Sequence, residues 1–390
     1  MAPEFSNGNR LQLLCCGGEY FPALEAAITG ARSQIYLETY LFEIDSTGTR
    51  ISAALCDAAA RGVNVRLLID GFGANHLPPT ARAQLRSAGV ELLRFGPRIS
   101  PWTLRRHRLR RLHRKLVVID GRIAFIGGIN IIDDQHRIGR APEGLPPRHD
   151  YAVKVEGPVL AAMHASVAQL WRRVQWTHTL QRRPPQDGHA VTTLACGRQR
   201  AAFVQRDNLN HRDDIEQAYL AAIRSAHHEI LIASAYFFPG RRFRQALRDA
   251  AARGVRVVLL LQGRIEFVLL HYAARALYSS LFAAGVQIHE YHKSYLHAKV
   301  AVIDQRWATV GSSNIDPFSL LLAREANLVI DDSAFAAQLR QSLLATLADG
   351  ARQVAPEHWL RQSLWRRIPI WVGYGMVRFL LGMVGYADSP

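Results

Sequence analysis

The sequence predicts an α/β protein of two similar halves related by a pseudo-twofold. Each half is expected to have a mostly parallel central sheet flanked by helices, and a C-terminal amphipathic helical segment follows. Three observations carry this. The pattern His-x-Lys, four residues, Asp, six residues, Gly-x-x-Asn occurs first as His113, Lys115, Asp120, Gly127 and Asn130. It recurs as His297, Lys299, Asp304, Gly311 and Asn314, each member 184 residues after its counterpart. A longer repeat encloses it: AAARGVNVRLLID (58–70) mirrors AAARGVRVVLLLQ (250–262), and SAGVELLRF (87–95) mirrors AAGVQIHEY (283–291). Helical stretches rich in Ala and Arg alternate with Val, Ile and Leu runs, the signal of βαβ units.

A chain of 390 residues exceeds what one hydrophobic core usually serves. The first half is assigned to 1–180 and the second to 201–350. They are joined by a polar linker at 181–200 that contains Pro184-Pro185 and Asp187-Gly188. Residues 351–390 form the C-terminal segment.

Each copy of the pattern reads as a hairpin. LHRKLVVIDGR and LHAKVAVIDQR place apolar β-branched residues after the Lys and a turn at the Asp. Alternate residues of a strand share a face, so His113 projects with Lys115 and His297 with Lys299. A return strand, RIAFIGGIN or RWATVGSSN, then delivers Asn130 or Asn314. One such hairpin could carry His and Lys by chance, but duplication of a merely structural hairpin has no reason to preserve His, Lys and Asn together. Two copies imply one cleft lined from both halves.

Two imidazoles can divide nucleophile and general acid between them, because a pKa near 6.5 lets one be neutral and the other protonated. Lysines and Asn amides are donors suited to the oxygens of a phosphoryl group as charge develops. Neither His-Glu-x-x-His nor Cys-x-x-Cys occurs, and the cysteines are Cys15, Cys16, Cys56 and Cys196. Metal-free phosphodiester chemistry is expected.

The doubled motif, followed by Gly-Gly or Gly-Ser and Asn, resembles the signature of the phospholipase D superfamily, and the resemblance extends to about residue 345. It implies a covalent phosphohistidine on one His while the other protonates the leaving alcohol and activates the incoming one. By analogy His113 is the nucleophile and His297 the acid/base, with the reverse assignment open. Lys115 and Lys299 complete the catalytic set, and Asn130, Ser312 and Asn314 bind phosphate. Asp120 and Asp304 close each catalytic motif, although in this family that Asp sits off the phosphate and supports the fold. A further acid in each half orients the opposed or neighbouring imidazole. It maps to Glu325 and Asp150, whose spacings differ because of an insertion between Asp133 and Arg148.

Charge bears on the substrate. A net charge of +16 and a pI near 10.3 point to an anionic partner, nucleic acid or an anionic membrane. Arg105, Arg106, Arg108, Arg110 and Arg111 crowd the approach to His113, placed to hold phosphate head groups at the lip of the cleft. The segment from Trp359, with Trp365, Arg366, Arg367, Trp371 and Arg378 flanking apolar runs, suits a helix lying at the membrane interface. A central Arg makes a span costly, by roughly 2.5 to 3.5 kcal/mol. The alternative is a helix packed on the protein's own core.

The stretch 261–330 resembles the bacterial cardiolipin synthases within the superfamily. This implies transfer of a phosphatidyl group from one phospholipid, phosphatidylglycerol in the first instance, to a hydroxyl of phosphatidylglycerol. No cofactor is implied. Anionic phospholipids and the membrane surface are the expected partners, with no nucleic acid. Hydrolytic phospholipase D activity is the alternative, and a nuclease or a noncatalytic lipid-binding module stands behind it. MAPEFSNGNR lacks an apolar signal core, so a peripheral protein on the cytoplasmic face of a bacterial inner membrane is expected.

Overall fold

A computed structural model describes residues 3–96, 110–135, 144–179, 191–207, 210–316, 323–361 and 364–383. The first half contributes β1 (Ser6–Cys15), α1 (Cys16–Thr29), β2 (Gln34–Thr39), α2 (Ser46–Ala60), β3 (Asn64–Asp70), α3 (Pro79–Ser87), β4 (Glu91–Phe95), β5 (Arg111–Leu112), β6 (Lys115–Ile119), β7 (Ile123–Gly127), β8 (Tyr151–Glu156) and α4 (Leu160–Thr179). The second contributes β9 (Gln199–Arg206), α5 (Asp214–Arg224), β10 (Glu229–Ser234), α6 (Arg241–Ala252), β11 (Arg256–Gln262), α7 (Val268–Arg275), α8 (Tyr278–Phe282), β12 (Gln287–Tyr291), β13 (Lys299–Ile303), β14 (Trp307–Gly311), β15 (Ala323–Asp331) and α9 (Ser333–Gly350). Then come β16 (Ala351–Gln353), α10 (Pro356–Leu360) and α11 (Leu364–Met383).

The strands form one continuous sheet in the order β4-β3-β2-β6-β7-β8-β1-β9-β15-β14-β13-β10-β11-β12-β16. The order reads alike outward from the antiparallel β1–β9 junction, which is the pseudo-twofold the repeat predicts. Buried residues of both halves, among them Leu116, Tyr151 and Trp171 with Leu296, Leu328 and Phe335, fall in one apolar cluster that spans the junction.

The sheet is mixed, which corrects the expectation of a mostly parallel one. Along the main sheet, parallel ladders are confined to β2-β3-β4 and β10-β11-β12, with β5 pairing parallel to β15 off that path. The other ladders of the main sheet are antiparallel. The reason lies in the motif itself. Its Asp and the following residue turn the chain directly from β6 into β7, and from β13 into β14, whereas a parallel return needs a crossover of a dozen or more residues. All six residues of β2 and all six of β10 are buried. Apolar runs therefore reported burial on both faces, not strand direction.

The C-terminal helix shows two faces. Ile370 and Val377 are buried, and Gly373 lies so close to α7 that a Cβ there would sit 3.0 Å from Cβ of Tyr272. Trp365, Ile368, Trp371, Val372, Met376 and Phe379 are exposed. Among the described residues no helix is long and apolar enough to cross a membrane. Trp359 belongs to the core, 7% exposed and 5.0 Å from the Tyr278 ring.

Candidate active site

His113 and His297 lie immediately before β6 and β13, and each is held by the other half. The backbone N–H of His113 donates to Arg324 O (3.0 Å), and that of His297 to His149 O (2.8 Å). Parallel pairing of β5 with β15 and a bridge between His149 and Leu296 fix these contacts. The side chains follow: His113 Nδ1 meets Glu325 Oε1 at 2.8 Å, and His297 Nδ1 meets Asp150 Oδ2 at 2.7 Å. A carboxylate on Nδ1 holds that nitrogen as the N–H and leaves Nε2 as the lone pair. The orienting acids are thus exchanged between the halves.

Asp150 and Glu325 occupy equivalent positions despite their unequal spacing. Gly127 pairs with Ala152 as Gly311 pairs with Asn327, so each acid lies two residues before the residue opposite the motif Gly. Their neighbours differ in step with their length. Ser312 Oγ donates to Glu325 Oε2 at 2.5 Å, whereas a Cβ on Gly128, the matching position, would stand 2.4 Å from Asp150 Oδ1. The shorter acid takes the space that the serine fills in the other half.

Lys115 and Lys299 are buried. Lys115 Nζ donates to His113 O at 2.6 Å, and Lys299 Nζ donates to His297 O. Burial draws Lys115 down from its usual value to about 7, against the pull of Glu325, and Lys299 down to about 8, against Asp150. Burial also lowers His113, opposed by Glu325, and lowers His297 well below its usual value, reinforced by the Lys299 and Arg148 charges. Burial lifts Asp150 to about 6, opposed by Lys299. Both imidazoles are therefore neutral at neutral pH, and each Nε2 is free to attack or to accept a proton. Lys115, Lys299 and Arg148 set donors beside the imidazoles, which suits the oxygens of an anion bound between them.

Asn130 and Asn314 are buried. Asn130 Oδ1 accepts from Leu41 N at 3.1 Å, while Asn314 Oδ1 has no partner among the described residues. The structure does not bring Asp120 and Asp304 to the imidazoles, which corrects their place beside the His and Lys. Each stands at the far end of its strand, roughly 16 Å from the Lys at ~3.3 Å per residue. Asp120 accepts from the backbone of Arg32 (2.8 Å), Ser33 (2.8 Å) and Gln34 (2.9 Å), and Asp304 from that of His227 (2.8 Å), His228 (2.8 Å) and Glu229 (2.9 Å). Both have positive φ, 52° and 50°, as the turn requires. They tie the entrance of β2 and β10 to the hairpin.

Of the arginine cluster, Arg105, Arg106 and Arg108 lie outside the described residues. Arg110 and Arg111 are half-buried just before His113, with the Arg111 guanidinium 5.6 Å from the Phe72 ring centre. Trp365 and Trp371 are 83% and 71% exposed on α11, Arg367 is half-buried, and Arg366 lies on the same helix. Cys15, Cys16 and His149 bring potential metal-ligating atoms within 4.8 Å of one another, in a group separate from the two imidazoles.

Two further residues of the site were not read from the sequence. The Tyr40 ring packs edge-on to His113 at 5.0 Å, with Lys115 Nζ 5.5 Å from its centre. Arg148, 7% exposed, acts on His297. Its place two residues before Asp150, on the same face of an extended chain, was the available signal; Tyr40 had none.

The family described as "Cardiolipin synthase, PLD-like domain" matches residues 24–138 and 219–346. Cardiolipin synthase B of Shigella flexneri is 39% identical over 399 residues, covering 100% of this chain and 92% of its own. Cardiolipin synthase A of Salmonella paratyphi B is 32% identical, covering 93% and 74%. Among solved structures, phosphatidylserine synthase of Haemophilus influenzae Rd KW20 superposes with a TM-score of 0.69 at 13% identity, over 94% of this chain and 92% of that one. That last likeness concerns the fold.

Proposed function

The chain belongs to the cardiolipin synthase family with its PLD-like domain, and from that premise we propose how it transfers a phosphatidyl group between phospholipids. The observation that carries the reading is the exchanged pair of imidazole–carboxylate contacts, His113 with Glu325 and His297 with Asp150. These present two free Nε2 atoms to one cationic cleft.

In the first step His113 Nε2 attacks phosphorus, a P–N bond forms and the P–O bond to the head group breaks. The leaving oxygen takes a proton from His297 Nε2. His297 is neutral in the empty site, and the anionic phosphodiester raises its affinity for the proton on arrival. In the second step a lipid hydroxyl gives its proton to His297 as its oxygen attacks phosphorus, and the P–N bond breaks. Lys115, Lys299, Asn130 and Asn314 are the groups that offer donors to the non-bridging oxygens; Ser312, whose hydroxyl hydrogen goes to Glu325 and whose backbone N–H goes to Ala326 O, holds the orienting acid and not the phosphate, which corrects its expected role. We take phosphatidylglycerol as donor and acceptor, so glycerol is released and cardiolipin forms.

The chain is read as halves 1–180 and 201–350, a linker at 181–200 and a membrane-associating segment at 351–390. The exposed aromatic face of α11, beside exposed Ile265, Phe267 and Val268, supports peripheral association with an anionic bilayer, on the cytoplasmic face of a bacterial inner membrane. Incubation with phosphatidylglycerol vesicles is expected to release glycerol and form cardiolipin without divalent metal. Phosphatidic acid alone would establish hydrolysis instead, and unchanged lipid with cleaved DNA would establish a nuclease.

A further inference from the structure

The two halves differ beside their imidazoles, and the differences lie together. Tyr40 follows β2 and covers His113; the residue that follows β10 in the same register is Ala235. Asp70 ends β3 and is fully satisfied, its carboxylate accepting from Leu112 N, Phe72 N and Gly73 N. Its counterpart at the end of β11 is Gln262, whose Oε1 accepts from Leu296 N at 3.0 Å while its Nε2 is buried with no partner among the described residues. Gln262 is 8% exposed. An orphaned buried amide donor is uncommon and costly. Where the first half has the Tyr40 ring, the second has a small cleft of about 30 Å³, lined by Ala235, Tyr236, Gln262, Arg264, Glu266 and His271 among others.

The cleft adjoins His297. Gln262 bonds to the backbone of Leu296, and Ala235 N donates to Ala298 O at 2.9 Å, so the residues on both sides of His297 are held by its walls. The Glu266 carboxylate accepts from Tyr236 Oη at 2.6 Å and lies close enough to act on Lys299. A free amide donor and a carboxylate acceptor in one small cleft match a hydroxyl group, which accepts one hydrogen bond and donates another.

We propose that this cleft is the subsite for the polyol head group of the acceptor, with Gln262 and Glu266 binding a hydroxyl neighbouring the one that attacks. The inference rests on the transferase reading above, in which His297 takes the proton of the attacking hydroxyl. The first half has no such subsite because Tyr40 fills its place. Selectivity then comes from the non-attacking hydroxyl: an acceptor lacking it leaves the Gln262 amide and Glu266 unpaired.

The test offers the full chain, in phosphatidylglycerol vesicles, equal concentrations of ¹³C-glycerol and 1-propanol, and measures labelled phosphatidylglycerol against phosphatidylpropanol by mass spectrometry. The protein is expected to favour glycerol. Gln262→Glu keeps the acceptor that holds Leu296, as Asp70 does for Leu112, and removes the free donor; the preference should fall about 10-fold, the worth of one hydrogen bond. Ala235→Tyr restores the ring of the other half and should reduce the preference at least as far. If Ala235→Tyr does not fold, Gln262→Glu decides alone. A product ratio within twofold of the parent's in the folded variants overturns the subsite. Failure of the parent to form either product overturns the transferase reading instead, and the subsite with it.

Discussion

Replacing Glu325 by Gln tests the exchange of carboxylates between the halves most directly. Glu325 is a second-half residue, yet its only imidazole contact among the described residues is His113 of the first half, at 2.8 Å with the carboxylate wholly buried. Phosphorylation of His113 Nε2 makes the ring cationic, and a carboxylate about 4 Å from that charge stabilises it by roughly 4 kcal/mol at an effective dielectric near 20. The charged hydrogen bond taken alone contributes about 1.5 to 3 kcal/mol. With about 1.4 kcal/mol per factor of ten, formation of the phosphohistidine should slow by roughly 10 to 10³. The assay is rapid mixing with a soluble nitrophenyl phosphodiester, whose leaving group departs without a proton and so reports on the nucleophile alone. Glu325→Gln should suppress the nitrophenolate burst. Asp150→Asn should keep the burst and slow later turnover, because His297 is needed to activate the attacking oxygen. The opposite pattern would reverse the two roles. Bursts and turnover within threefold of the parent in both variants would refute the argument that these carboxylates control the imidazoles.

The buried lysines set a pH dependence. Lys115 and Lys299 titrate near 7 and 8 in the empty site, so kcat/KM should fall as pH rises through that window, whereas kcat, measured with phosphate bound, should fall at higher pH. Folding stability has the opposite sign: the unfolded chain holds the Lys115 proton up to its usual value, so this contribution is full above about 10.5 and is lost as pH falls towards 7. Denaturant midpoints of apo protein at pH 7 and 9 check that sign. Between His113 and Lys115, Arg114 points to the opposite face, where Nη2 meets Glu38 Oε1 at 2.8 Å and both groups are at most 3% exposed. Arg114→Ala should cost about 3 to 5 kcal/mol by stranding Glu38, and Arg114→Met with Glu38→Leu should recover most of it in urea unfolding. Exchanging Trp365, Trp371 and Phe379 for Ser should weaken binding to anionic vesicles more than tenfold, since each exposed aromatic offers roughly 3 kcal/mol of burial. Turnover of the soluble diester should persist; loss of both together would place α11 among the elements the fold requires.

The chemistry was legible wherever it depends on alternation along one strand. Two residues of spacing put His and Lys on one face, and a hairpin of fixed length delivered Asn, so the doubled motif specified most of the cleft. The partner of each imidazole was not legible at that level. It follows from β5 pairing with β15 and from the bridge at His149, contacts between segments more than a hundred residues apart that no local pattern encodes. An insertion shifts the spacing of Asp150 from its motif, yet strand register restores its equivalence with Glu325. Asp120 and Asp304 show the reverse case: a fixed spacing within the motif reflects a turn held by three backbone donors and not a contact with the imidazoles.

Exchange of carboxylates also explains how near-identical motifs can take unequal roles. Neither imidazole is oriented by its own half, so each half supplies the environment of the other's reactive group. In two identical chains, a change beside one imidazole is imposed on both. In one duplicated chain the sides are free to diverge: Gly128 with Asp150 against Ser312 with Glu325, and Tyr40 against Ala235. The ring of Tyr40 packs edge-on to His113, which suits the nucleophile role proposed for it, since a nucleophile meets only phosphorus. Ala235 leaves room beside His297, where the proposed mechanism has an alcohol enter and depart. On the proposed assignment of roles, the asymmetry falls on the side of the reaction that has two different occupants, the leaving head group and the attacking lipid.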